Sequence, residues 1–157
     1  MKRNLMNLKI KVLFTLLLGL TLNNAFCQDV FFASSIGQQT KDVYFTSNIT
    51  QNSVDIYISD RITQNTIDIY ITKDSNSCDI NVSPTITNST EDIYFSSIMT
   101  MNTTDIYISD RVTQNSMDIY ITNNPSSAKY AICFPYGFKY DKRHIAAIVA
   151  LFLNKKE

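Results

Sequence analysis

Glycine is scarce in this chain, at three in 157 residues; proline is equally rare, histidine occurs once and tryptophan is absent. So little glycine leaves no glycine-rich phosphate loop, and it disfavours two-residue hairpins, whose turns need positive φ. A single histidine, His144, excludes the paired-histidine zinc motif. It also stands apart from any serine or cysteine nucleophile pattern, so a triad has no support. CxxC is absent, and positive and negative side chains balance at 14 each. No apolar run reaches the roughly 20 residues that a bilayer-spanning helix needs.

What is present begins with a leader. Lys2, Arg3, Lys9 and Lys11 precede the apolar stretch from Val12 to Leu22, the pattern of a secretory signal. Residues 1–27 are therefore expected to be removed, with cleavage between Cys27 and Gln28 or just after Ala25; acylation of Cys27 is the lipoprotein alternative. The leader takes four basic residues and no acidic ones, leaving a remainder with net charge about −4. That sign disfavours nucleic acid, whose binders present a basic face. Cys78 and Cys133 then remain. In an oxidising compartment they can pair, although Cys78 occupies the place of Ala128 and reads equally well as a small buried residue.

The rest of the chain repeats itself. An acidic residue precedes an apolar–aromatic triplet at Asp29, Asp42, Asp55, Asp68, Asp79, Asp92, Asp105 and Asp118, and Lys129 opens a degenerate ninth copy. The steps are 13, 13, 13 and 11 residues, and then the same again. DIYISDRITQNTIDIYIT at 55–72 returns as DIYISDRVTQNSMDIYIT at 105–122. Such self-similarity defines a repeat protein. The β-repeat domain is read as 28–132, with halves 29–78 and 79–128, followed by a tail over 133–157. Within each unit the isoleucines alternate with Asp, Tyr and Ser/Thr, the period of a half-buried strand. A further apolar residue falls seven positions after the aspartate, at Ile36, Ile49, Ile62, Ile86, Met99 and Val112, and is expected to tuck each connection onto the core.

In-register parallel stacking would set the aspartates in like-charged columns, which oppose pairing. An antiparallel meander avoids this by placing Tyr57 opposite Tyr70. The expected fold is all-β: two four-stranded antiparallel meanders packed face to face as a sandwich, with a β-solenoid as the alternative. In the tail, Pro135 and Gly137 mark a turn and Asp141 caps a helix over Lys142–Leu153 that covers a sheet edge or end. That helix has no polar face before its ends. A membrane-contacting or partner-docking helix flanked by lysines is the functional alternative.

Candidate chemistry is confined to the strands' polar face. Its carboxylates lack the spaced Asp, Asn and Gly of a calcium loop, so no metal or cofactor is expected. Tyr44, Tyr57, Tyr70, Tyr94, Tyr107 and Tyr120 recur there and are the candidate binding residues, suited to a glycan or to another envelope protein. The segment IYITNNPSSA at 119–128 resembles the units of an uncharacterised family of secreted bacterial tandem-repeat proteins. Here Val54, Ile67, Cys78 or Met117 stand where those units carry alanine. The resemblance implies export and repetition, with no activity to transfer. The expectation is an exported, non-enzymatic structural or binding module, the alternative being a carbohydrate- or surface-binding domain that uses its tyrosine face.

Overall fold

The computed structural model describes residues 27–153; the expected leader, except for Cys27, lies outside them. Nine strands form, one per repeat: β1 Gln28–Ala33, β2 Lys41–Thr46, β3 Val54–Ser59, β4 Ile67–Thr72, β5 Ile80–Val82, β6 Glu91–Ser96, β7 Thr104–Ser109, β8 Met117–Thr122 and β9 Tyr130–Cys133. They close into one barrel in the order β1-β5-β9-β4-β8-β3-β7-β2-β6, and every pair is parallel. This overturns the antiparallel sandwich. Consecutive strands never pair; each connection steps across one intervening strand, and the second circuit fills the gaps left by the first. The two 50-residue halves are thus two interleaved circuits of one barrel.

The objection to parallel pairing was the aspartate column, and register removes it. Neighbours are staggered by two residues everywhere except β4–β9, which pair level, so Asp55 faces Tyr107 and Tyr57 faces Asp118. Likewise Asp42 faces Tyr94 and Tyr44 faces Asp105. From β6 through β2, β7, β3 and β8 to β4 each facing pair sets a carboxylate against a phenol, and the expected Tyr57–Tyr70 pairing does not occur. Summed round the barrel, the stagger is a shear of about 16 residues over nine strands, which tilts the strands by about 50° and gives a radius of about 11 Å. Because the tilted strand already carries the chain sideways, a connection of seven residues reaches the next strand. An upright parallel pair needs a dozen or more.

An even shear keeps side-chain parity round the ring, so one face of every strand points inward. Val30, Val43, Ile56, Ile69, Ile80, Ile93, Ile106, Ile119 and Ile132 form the central belt, and all are buried. Phe32, Phe45, Ile58, Ile71, Phe95, Ile108 and Ile121 form a second belt toward the strands' C-terminal ends. These belts leave an apolar lumen, which the tail fills. Helix α1, Lys142–Ile148, continues as a π-helical turn over Val149–Leu153. Five consecutive residues, Ile145 to Val149, are at most 2% exposed. Five residues at 100° each cover the whole circumference of a helix, so α1 is enclosed on every side.

The ends of the helix mark its direction. His144 sits among Phe32, Phe95 and Phe138, with centroids 4.7, 5.2 and 5.3 Å away, and Arg143 lies 4.5 Å over Phe45. At the other end Lys41, the first residue of β2, lies 5.9 Å over Phe152. The helix therefore threads the barrel from its C-terminal to its N-terminal mouth, where the expectation has it covering a sheet edge or end. Its missing polar face follows directly: a helix apolar all round is a buried one. Asp141 caps it, accepting from the N–H groups of Arg143 and His144.

The apolar residue of each connection also departs from expectation. Ile36, Ile49, Ile62, Ile86 and Val112 are 54–64% exposed and Met99 is 46% exposed. With the core inside a closed ring, an outer loop has nothing apolar to tuck onto.

Candidate functional site

The polar residues of each unit are largely used in building it. All eight connections hold a turn in which the N–H of a Ser or Thr reaches back three residues, as in Thr66 to Thr63, Thr90 to Thr87 and Thr103 to Thr100. In five of the six 13-residue steps the same side chain reaches the aspartate two positions on: Thr40 to Asp42, Thr66 to Asp68, Thr90 to Asp92, Thr103 to Asp105 and Ser116 to Asp118, at 2.7–2.9 Å. At the strand ends Ser59, Ser83, Ser96 and Ser109 accept from the N–H two residues later. Hydroxyl-to-backbone bonding of this kind is what Ser and Thr supply in turns.

One unit breaks the pattern. The carboxylate of Asp55 has no bond from its own Ser53. Its Oδ2 accepts instead from Thr113 Oγ1 at 2.6 Å, in the β7–β8 connection that passes over β3. Asp55 is 4% exposed and its Oδ1 has no partner. It lines a polar hollow with Thr50, Gln51, Ser53, Gln114, Asn115 and Ser116. No cluster of metal-ligating side chains occurs among the described residues.

Tyr44, Tyr57, Tyr70, Tyr94, Tyr107 and Tyr120 are all half-buried on the outer wall. They are spread round the circumference, all but Tyr70 facing an aspartate on the next strand, so they form no continuous platform. Tyr70 alone joins a larger feature. It borders a cleft of about 660 Å³ whose other walls are Ile71, Thr72, Lys73 and the segment from Phe134 to Tyr140. Here the tail leaves β9 and turns toward the lumen. Phe138 N–H donates to the Pro135 carbonyl at 3.1 Å, closing a turn in which Gly137 has φ of 84°, a conformation that glycine adopts without strain. The turn thrusts Tyr136 outward, 91% exposed, with Lys73 Nζ 4.9 Å over its ring. Phe134 stacks on Tyr140 at 4.4 Å and on Phe138 at 5.5 Å.

The sequence marks the Pro-Tyr-Gly turn but not the site around it. The available signal was the run of Phe134, Tyr136, Phe138 and Tyr140 alternating just past the last repeat, with Lys139 among them. Lys73 could not be joined to it without the β4–β9 pairing.

Cys27, Cys78 and Cys133 are free thiols. Cys78 Sγ lies 3.3 Å from Cys27 Sγ, while Cys133 is its other sulfur neighbour. Burial, first of all, pushes each thiol above its ordinary value.

No helix among the described residues is long and apolar enough to cross a membrane. No protein-family pattern, curated protein or solved structure matches the chain.

Proposed function

We propose that this is an exported, non-enzymatic binding module whose ligand is a glycan held in the cleft between β4 and the Phe134–Tyr140 segment. The observation that carries the reading is Tyr136, a large aromatic presented at 91% exposure on a glycine-anchored turn beside Lys73. An aromatic ring offers an apolar face to the C–H face of a sugar, and a rigid tyrosine does so at low conformational-entropy cost. Lys73 and Lys139 favour a ligand bearing carboxylate or sulfate groups. Export rests on the leader and on the resemblance of 119–128 to units of secreted repeat proteins. The half-buried ring tyrosines serve the barrel wall in this reading, apart from Tyr70.

The test is a glycan array probed with the chain, followed by titration of the best acidic polysaccharide. Tyr136→Ala is expected to weaken binding at least tenfold, with Tyr57→Ala and Tyr107→Ala unchanged. Retained affinity in Tyr136→Ala, or an array on which nothing binds, would overturn the glycan reading. A second reading, docking to another envelope protein, is favoured by the exposed aliphatics of the connections, such as Ile36, Ile62 and Ile98 at 57–67% exposure. It predicts loss of binding in Ile36→Ser and Ile62→Ser and none in Tyr136→Ala.

A further inference from the structure

Three thiols meet at one place in this barrel, and that place is its seam. Strands β1, β5 and β9 are consecutive in the ring. They are the first strand of the chain, the first strand of the second circuit and the last strand. Cys27 immediately precedes β1, Cys78 precedes β5 after a 3-10 turn at Ser75–Ser77, and Cys133 ends β9. The 11-residue step, two shorter than the others, brings Cys78 to the start of β1. There Gln28 N–H donates to the Asp79 carbonyl at 2.9 Å, and Cys27 and Cys78 Sγ lie 3.3 Å apart.

We infer that Cys27 and Cys78 form a disulfide that latches the seam, with Cys133 left as a buried free thiol. Of the three, Cys27 is the partly exposed one, while Cys78 and Cys133 are 6% and 2% exposed. Entry is therefore through Cys27. Its thiolate attacks the disulfide of a thiol–disulfide exchange partner, either an oxidoreductase or oxidised glutathione, and one sulfur of that partner leaves as thiolate. Cys78, losing its proton to solvent, then attacks Cys27 Sγ and displaces the second thiolate. Two protein thiols are oxidised by two electrons and the exchange partner is reduced by two. The bridge closes a loop spanning one full circuit, and a long enclosed loop is where a cross-link most restricts the unfolded chain. The inference also fixes the leader: Cys27 is retained, so cleavage falls after Ala25, neither after Cys27 nor at an acylated cysteine.

The test expresses the full chain, leader included, into an oxidising compartment. Free thiols are alkylated and a non-reduced digest is mapped by mass spectrometry. Cleavage after Lys41, Lys73, Lys129 and Lys139 puts the three cysteines in three different peptides. The expected result is a Cys27–Cys78 linked peptide, alkylated Cys133 and an N-terminus at Phe26. An N-terminus at Gln28, an acyl group on Cys27, a Cys78–Cys133 bridge or three alkylated thiols would each overturn the inference. If the chain stays unexported, the full-length protein is purified and oxidised with glutathione, and the same map is read. Dithiothreitol should lower the Tm of wild type and of Cys133→Ser, and leave that of Cys27→Ser unmoved. An equal drop in Cys27→Ser refutes the pairing.

Discussion

The enclosed helix makes a demanding prediction about two small residues. Ala146 and Ala147 are both 0% exposed, and so are Ile148 and Val149. On a helix lying over a sheet edge, adjacent positions 100° apart cannot all be covered, and one of the two alanines would face solvent. Inside the barrel neither does. Each is small because the wall opposite it is close: with a radius of about 11 Å, the belt of Val and Ile leaves about 5 Å around the helix axis. Ala146→Leu and Ala147→Leu each add three carbons to a closed space, and overpacking of that kind costs about 1–3 kcal/mol. Ile148→Ala has the opposite defect, a cavity at the centre of the lumen, and costs about 2–5 kcal/mol. For a domain of this size each kcal/mol moves Tm by about 4 °C.

The assay is urea unfolding followed by far-ultraviolet circular dichroism, with m checked for constancy so that midpoints report stability. All three variants should fall below wild type, and the two alanine positions should fall together. If either alanine accepts leucine without loss, that side of the helix is open and the helix does not thread the barrel.

Other perturbations test the wall and the cap. Thr113→Val removes the one bond that the Asp55 carboxylate makes among the described residues and should cost about 1–3 kcal/mol in urea unfolding, the loss on leaving a buried acceptor unsatisfied. Thr63→Val, at the equivalent turn without such a partner, should stay within about 0.5 kcal/mol. Asp141 is pushed up by burial but pulled further down by the His144 side chain and by the N–H groups of His144 and Arg143, so it ends below its ordinary value of 3.8. Stabilisation by a carboxyl lowered on folding is complete above its unfolded value and is lost as pH falls through the folded one. Asp141→Ala should therefore cost about 1 kcal/mol at neutral pH, and in thermal melts the gap between it and wild type should narrow as pH falls through the acid range. In a background with the native cysteines changed to serine, Tyr57→Cys with Asp118→Cys should cross-link under mild oxidant and Tyr57→Cys with Tyr70→Cys should not. The reverse outcome would restore the antiparallel register.

Much of the wall was legible from the residues. Eight aspartates and Lys129 mark the nine strands, and alternation separates inward isoleucine from outward tyrosine because a strand's side chains have period 2. Pairing was not legible. The column argument assumed neighbours in register, where Asp55 would meet another aspartate; a stagger of two residues sets it against Tyr107 and reverses the conclusion. Nothing local to DIYIS encodes that stagger, which is a property of the closed ring. The helix was misplaced for a related reason. Its all-apolar surface at Ile145–Val149 was visible, but an open sheet supplies an edge to cover, whereas only a barrel supplies a lumen to fill. The cleft at Tyr136 was hidden because Lys73 and Tyr136 meet only through the β4–β9 pairing.

That the strand number is odd follows from the winding. A chain that always steps two places round a ring visits every place only if the number of places is odd. With nine, the fifth strand lands beside the first, as β5 does beside β1, and the second circuit interleaves. With eight, the fifth strand would fall on the position of the first, and half the ring would stay empty. Deleting residues 105–117 tests this, because Thr104 then joins Asp118 in the place of Met117 and the remaining strands and turns keep their sequences. A meander or a solenoid would lose one strand or one coil and remain folded, since each unit there contacts only its neighbours. The barrel cannot close by the same path, so the deletion should abolish cooperative unfolding and expose the apolar belts to a hydrophobic dye. A sharp urea transition retained in the deleted chain would refute the two-step winding.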